Sequence, residues 1–319
     1  MPDDKPKWWI YQGTRNIDEL PPPPPWRKFT EAARQKRGQN FEPSQHESEL
    51  VNAALYLRRP LLITGKPGVG KTSLAYAVAY ELNLGTVLRW SITTQTQHQE
   101  GLYRYDAIAR LQDASLQKGD NRPPDISQYL RLGPLGTAFA AQKLPRVLLI
   151  DEIDKSDIDL PNNLLHIFEE GEFEIPELAR LPEDVHHISP HDQGEAVPIK
   201  RGRVRCEAFP LVMMTSNGER EFPPAFMRRC LQLEMQWPDK DKLDRIITSH
   251  LHPDAQYQSQ ITELIKEFVK KRDLETADIA TDQLLNAVYF ALKDIDPLHR
   301  DREELLNVLW KSLSSLDGI

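Results

Sequence analysis

Three glycines, a lysine and a threonine fall within one short stretch, Gly65, Lys66, Pro67, Gly68, Val69, Gly70, Lys71 and Thr72. Ser73 follows. The apolar run Leu61–Thr64 feeds this stretch, and a helical pattern leaves it, with Leu74, Ala75, Val78, Ala79 and Leu82 on one face. Glycines let backbone N–H groups turn inward around an anion, and a helix N-terminus adds its dipole. This spacing predicts a phosphate loop. Lys71 is then placed for the β- and γ-phosphates of a nucleotide, and Thr72 for Mg²⁺.

A second apolar run, Val147–Ile150, ends in two carboxylates, Asp151 and Glu152. The first suits water-mediated Mg²⁺ coordination. The second suits polarisation of an attacking water. A third run, Leu211–Thr215, leads through Ser216 to Asn217, which can orient that water if its strand lies between the other two. Downstream, Pro223–Met227 leads to Arg228 and Arg229, a pair able to neutralise phosphate charge from a neighbouring subunit.

The elements that must position these groups alternate. Leu61–Thr64, Thr86–Ile92, Val147–Ile150, Leu211–Thr215 and Leu231–Met235 are short apolar runs separated by helical stretches, which suits buried parallel strands in an α/β layered fold. Ser48–Arg58 reads as a helix ended by Pro60. After Pro238 the pattern is helical only: Lys240–His250, Ile261–Arg272, Asp282–Asp294 and Arg302–Leu316. Residues 1–40 differ from both parts. They hold Trp8, Trp9, Tyr11, Trp26, the pentaproline Pro21–Pro25 and the basic run Arg34–Arg37. Such a composition favours a stiff polyproline arm, whose tryptophans need an apolar surface, the protein's own body included.

The chain of 319 residues carries 40 Lys plus Arg and 48 Asp plus Glu, a net charge of −8. That balance argues against sequence-independent nucleic-acid binding, which rests on excess basic side chains. The two cysteines, Cys206 and Cys230, suggest a reducing compartment rather than a disulfide framework. No apolar run reaches membrane-spanning length, and the first residues lack a signal-peptide core. A cytoplasmic protein is expected.

Together, GKPGVGKT (65–72), LLIDEIDK (148–155), the helical LPNNLLHIFEEGEFEIPEL (160–178), MMTSNGEREFPPAFMRRC (213–230) and LQLEM (231–235) resemble the AAA+ ATPases, and within them the MoxR family. The resemblance implies an AAA+ P-loop NTPase core with a five-stranded parallel sheet in the order 5-1-4-3-2, plus a small all-helical lid domain. It divides the chain into a Trp/Pro-rich arm (1–40), a nucleotide-binding domain (41–237) and the lid (238–319). It marks an insert at about 93–135 and a hairpin at about 171–210, with 172–176 and 198–210 as its strands. Asn217 looks like the sensor-1 residue, and either Arg228 or Arg229 like the arginine finger. Between the hairpin strands, Arg180–Val197 reads as a solvated loop, although His186, His187, His191, Asp184 and Asp192 are of metal-ligand type. One departure stands out. Residues 277–281, where the family often carries a basic sensor-2 residue, hold no Lys or Arg. Lys271, Arg272, Arg300 and Arg302 are the nearest alternatives, and the departure predicts slow or partner-dependent hydrolysis.

The function so implied is Mg-dependent ATP hydrolysis in a hexameric or similar ring that remodels, matures or regulates a protein client, often one with a von Willebrand A domain. A nucleotide-gated switch in a defence or signalling assembly is the alternative. A motor coupled to a nucleic-acid enzyme, as in McrB-like GTPases, is the second, and the acidic charge speaks against it.

Overall fold

A computed structural model of the chain describes residues 9–11, 20–30, 33, 38–116, 124–141, 143–274, 279–293, 295 and 303–310. Trp8, the basic run 34–37, residues 277 and 278, Arg300 and Arg302 lie outside the described residues. The chain forms two compact units. One comprises 35–66 and 70–236; the other comprises 1–34, 67–69 and 237–319.

The larger unit is built on a parallel five-stranded sheet. Its strands are β1 (Leu61–Thr64), β2 (Leu88–Ser91), β3 (Val147–Asp151), β4 (Leu211–Ser216) and β5 (Leu231–Glu234), in the spatial order β5-β1-β4-β3-β2. The order expected for the core strands is therefore found. Among the described residues, six further strands lie outside this sheet, in a two-stranded and a four-stranded antiparallel sheet. The inner strands read as continuous apolar runs because both faces are covered; Val147, Leu148, Leu149 and Ile150 are fully buried. The edge strand β2 alternates instead, with Leu88 and Trp90 buried and Arg89 and Ser91 outward. Its core is shorter than the expected 86–92. Helix α1 (Gln45–Leu57) begins at Ser44, whose hydroxyl accepts from Glu47 N while the Glu47 carboxylate accepts from Ser44 N. This reciprocal cap starts the helix three residues earlier than apolar spacing indicates.

The stretch 160–178 is not one helix. It is helical over Leu160–Glu170 and stops at Gly171, which adopts a left-handed φ of 65°. A strand, Glu172–Glu174, and a short helix, Pro176–Ala179, follow. Glu172–Glu174 pairs with Arg203–Arg205, and Val197–Lys200 pairs with Val185–Ile188. The last of these corrects the expectation of a loop over 180–197. In Val185–Ile188 the side chains alternate outward and inward, so His186 is buried and His187 is not. Two adjacent histidines hid a period-two pattern. The insert also has structure: helices His98–Leu102 and Ala107–Leu116, and the paired strands Tyr103–Tyr105 and Leu130–Leu132.

The smaller unit is helical, with Lys240–Leu251, Gln258–Leu274, Thr281–Ala291 and Glu303–Leu309. Leu243, Ile247, Ile261, Leu264, Phe268, Leu284, Val288 and Trp310 form its core. The Asp239 carboxylate caps the first helix by accepting from Lys242 N at 2.7 Å. The described residues 20–30 of the arm belong to this unit. Trp26 packs against the helical core and meets the Tyr289 ring edge-on at 5.9 Å. Tyr289 OH donates to Pro22 O at 2.9 Å, an acceptor that a polyproline segment leaves unpaired. Among the described residues, no helix is long and apolar enough to cross a membrane.

Candidate functional site

The loop from Gly65 to Gly70 departs from ordinary backbone geometry at three glycines, with φ of 141° at Gly65, 80° at Gly68 and 104° at Gly70. These conformations cost little only without a Cβ. At Gly70 a second constraint applies, because a Cβ there would sit 3.3 Å from the Phe41 ring. Gly70 ends the loop, and helix α2 (Lys71–Glu81) starts at the next residue. The loop's amide groups thus lead into a helix N-terminus, as anion binding needs. Pro67, Gly68 and Val69 group with the helical unit. There the Thr281 N–H donates to Gly68 O at 3.4 Å.

Lys71 is buried, at 8% exposure. Its ammonium has three N–H donors, and three oxygens take them: Gly65 O at 2.5 Å, Lys66 O at 2.9 Å and Asn217 Oδ1 at 2.8 Å. Burial holds its pKa below the ordinary lysine value, an effect opposed by the charges of Asp154, Asp151 and Glu152. The cation is thus presented at the loop by the protein's own oxygens, and a phosphate is a stronger partner than any of them.

Asp151 ends β3 and is buried. Its Oδ1 accepts from Thr215 Oγ1 at 2.7 Å and from Thr72 Oγ1 at 3.1 Å. Its Oδ2 accepts from Arg89 Nε at 3.0 Å and Nη2 at 2.6 Å. A carboxylate and a hydroxyl on adjacent elements are hard oxygen donors of the kind Mg²⁺ takes. Thr72 spends its proton on Asp151 and keeps lone pairs for a cation, so the pair fits such an ion.

Glu152 follows with a left-handed φ of 62°, uncommon for a residue with a side chain. Its N–H donates to Thr215 Oγ1 at 2.9 Å, which helps hold that conformation. The Glu152 side chain is 45% exposed and pairs with Lys155 Nζ at 2.9 Å. The hydrogen bond from Lys155 to Glu152 raises the Lys155 pKa above its ordinary value.

Asn217, just past β4, is brought beside the loop because β4 lies between β1 and β3. Its position depends on a residue that spacing alone did not single out. Asp154, at 3% exposure, accepts from Asn217 N at 2.8 Å and Glu219 N at 3.1 Å through Oδ2. In the sequence, Asp154 looks like the tail of an acidic run. Arg89 and Thr215 escape notice for a different reason, since their roles depend on partners 62 and 64 residues away.

The arginine pair closes the helix Pro224–Arg229. Arg229 pairs with the Glu169 carboxylate. The carbonyls of Arg228 and Arg229 accept from Arg59 at 2.5 Å and 3.2 Å. Arg59 thereby ties the end of this helix to the segment entering β1. In the helical unit, Arg272 stacks over the Trp237 ring at 5.5 Å and donates to Pro238 O at 3.0 Å, while Lys271 donates to Asn307 Oδ1 at 3.3 Å. Among the described residues, no group of three or more His, Cys, Asp or Glu side chains is arranged to hold a metal, the histidines of 186–191 included.

Chaperone protein ClpB of Chlamydia caviae is 34% identical over 117 residues, which are 36% of this chain and 12% of that protein. Its counterpart in Chlamydia trachomatis is 33% identical over the same length and the same shares. The match thus spans about an eighth of these relatives. Among solved structures, a mutant of Thermotoga maritima RuvB aligns with 91% of this chain and 80% of its own, at 16% identity and a TM-score of 0.39. The model of the family described as AAA domain (Cdc48 subfamily) matches residues 59–256, a stretch that runs from just before β1 past β5. A match over more than half of the chain settles the family: this protein belongs to the AAA domain family, Cdc48 subfamily.

Proposed function

We propose that this chain is a MoxR-like ATPase that hydrolyses Mg-ATP within an oligomeric ring and uses the cycle to remodel, mature or regulate a partner protein. The observation that carries the reading is the convergence of Lys71, Thr72, Asp151, Glu152 and Asn217, drawn from strand ends and one helix start. Lys71 binds the β- and γ-phosphates. Thr72 and Asp151 hold Mg²⁺, which when bound neutralises developing phosphate charge. Glu152 takes the proton of the attacking water, and Asn217 orients that water. The Arg228–Arg229 pair then acts on the nucleotide of an adjacent subunit, where one guanidinium stabilises the transition state.

The likeness to a chaperone supports a protein client, and the MoxR resemblance supports one with a von Willebrand A domain. Nucleotide binding by calorimetry and phosphate release, measured together, test the catalytic half of the reading. Lys71→Ala is expected to lose binding, and Glu152→Gln to keep binding while turnover falls about a hundredfold or more. Full turnover in either variant refutes it. Light scattering in saturating Mg-ATP tests the ring: a protein that stays monomeric with full activity has no use for an arginine from a neighbour.

One observation favours the alternative of a nucleotide-gated switch. Glu152 is paired with Lys155, so the proposed base is held by a cation. A partner complex that forms with ATP and persists in Glu152→Gln supports the switch; one that needs continuous hydrolysis supports remodelling.

A further inference from the structure

Asp151 is saturated. A carboxylate offers about four lone-pair sites, and four N–H or O–H donors occupy them: Thr215, Thr72 and two from Arg89. A hydrated Mg²⁺ held through a water needs one of those sites for the water's proton. One of the present donors therefore has to leave when the cation binds.

The structure distinguishes among them. Thr215 is 1% exposed, and its oxygen also accepts from Glu152 N, so it is fixed from two sides. Thr72 lies in the first turn of α2 beside Lys71 and is itself a candidate cation ligand. Arg89 is different. It stands on the edge strand β2, its side chain is 45% exposed, and the two N–H groups it gives Asp151 both go to Oδ2. Water can take over its N–H groups at little cost once it swings out. A guanidinium and a divalent cation sharing one carboxylate oxygen also repel each other.

We propose that Arg89 is a stand-in cation on Asp151, a positioning residue that keeps the carboxylate aimed and its charge balanced until a hydrated divalent cation displaces it. Arg89 thus sets how strongly cation and nucleotide binding are coupled. This rests on Asp151 holding Mg²⁺ as proposed above. The opposite expectation follows from a purely structural clamp: without Arg89 the carboxylate loses its aim and cation binding weakens.

The test measures binding, not turnover. In a Glu152→Gln background, calorimetry gives the ATP dissociation constant with EDTA and with saturating Mn²⁺. The ratio of the two constants reports the coupling. Arg89→Met is expected to raise that ratio about tenfold, the usual worth of a charge-assisted hydrogen-bond pair. Arg89→Lys keeps the charge with a single donor stem, serves if the Met variant does not fold, and is expected to fall between the two. An unchanged or smaller ratio in a variant that binds ATP overturns the proposal and leaves the nucleotide site standing. Failure of the parent protein to bind ATP under either condition overturns both.

Discussion

Asp151 and Asp192 make the same kinds of contact at opposite ends of one strand pair. Asp151, at the carboxyl end of β3, takes two N–H donors from Arg89 and hydroxyls from Thr72 and Thr215. Asp192 takes an N–H from Arg146 at 2.6 Å and the Thr86 hydroxyl at 3.2 Å. Arg146 directly precedes β3 and Thr86 lies just before β2, so this cluster lies at their amino ends. Residue types and distances alone would score the two alike. What separates them is the surrounding backbone. Around Asp151 converge a glycine loop, a helix start and a left-handed Glu152. Arg146 also donates to Thr86 O at 2.8 Å, which closes the other cluster on itself. Ligands of open α/β sheets bind outside the carboxyl ends of strands. On the function proposed above, a carboxylate among arginine and threonine is a site at one end and a staple at the other.

Neutralising each acid in turn should separate the two clusters most strongly. Asp151→Asn is expected to cut ATP turnover about a hundredfold or more, with ATP affinity in EDTA much less affected. Asp192→Asn should leave turnover within about twofold and lower unfolding stability by about 1–2 kcal/mol, the loss of a charge-assisted contact that is only partly exposed. Steady-state phosphate release and urea titration read the two effects. If Asp192→Asn abolishes turnover at full stability, the division into site and staple is wrong.

A smaller effect sharpens the carboxyl end. Asp154 anchors two backbone N–H groups of the segment carrying Asn217. Asp154→Asn keeps the shape but weakens charge-assisted acceptance, so Asn217 loses its fixed position. Turnover is expected to fall about tenfold while the ATP dissociation constant moves less than about threefold. Equal losses in both would mean that Asp154 supports the loop 65–70 rather than Asn217.

These residues also show what the sequence could and could not display. The loop 65–72 and the pair 151–152 were legible because their chemistry is contiguous: glycines, cation, hydroxyl and acids sit side by side. The sheet order needed family resemblance, since apolar runs of equal length carry no mark of their neighbours. Arg89 and Thr215 were illegible because each meets Asp151 only after β2, β3 and β4 are laid side by side. From its neighbours alone Asp192 reads as part of a solvated loop, because the arginine that fixes it lies 46 residues earlier. Burial of Lys71 beside three carboxylates likewise follows from topology and not from local pattern.

The smallest expected effect tests the amino-end cluster by pH. Burial alone would raise the Asp192 pKa, but hydrogen bonds and charge from Arg146, with help from Thr86, hold it below the ordinary value of 3.8. A carboxylate depressed in the folded state adds stability above its unfolded pKa and loses it as pH falls through the folded pKa. The sign is therefore fixed: the cluster stabilises at neutral pH and fades below about pH 4. Urea unfolding of the parent protein and Asp192→Asn should differ at about pH 6 by about 1 kcal/mol or more and converge towards about pH 3. A gap that stays constant across this range assigns the loss to packing, and Asp192 then staples the strand ends by shape rather than by charge.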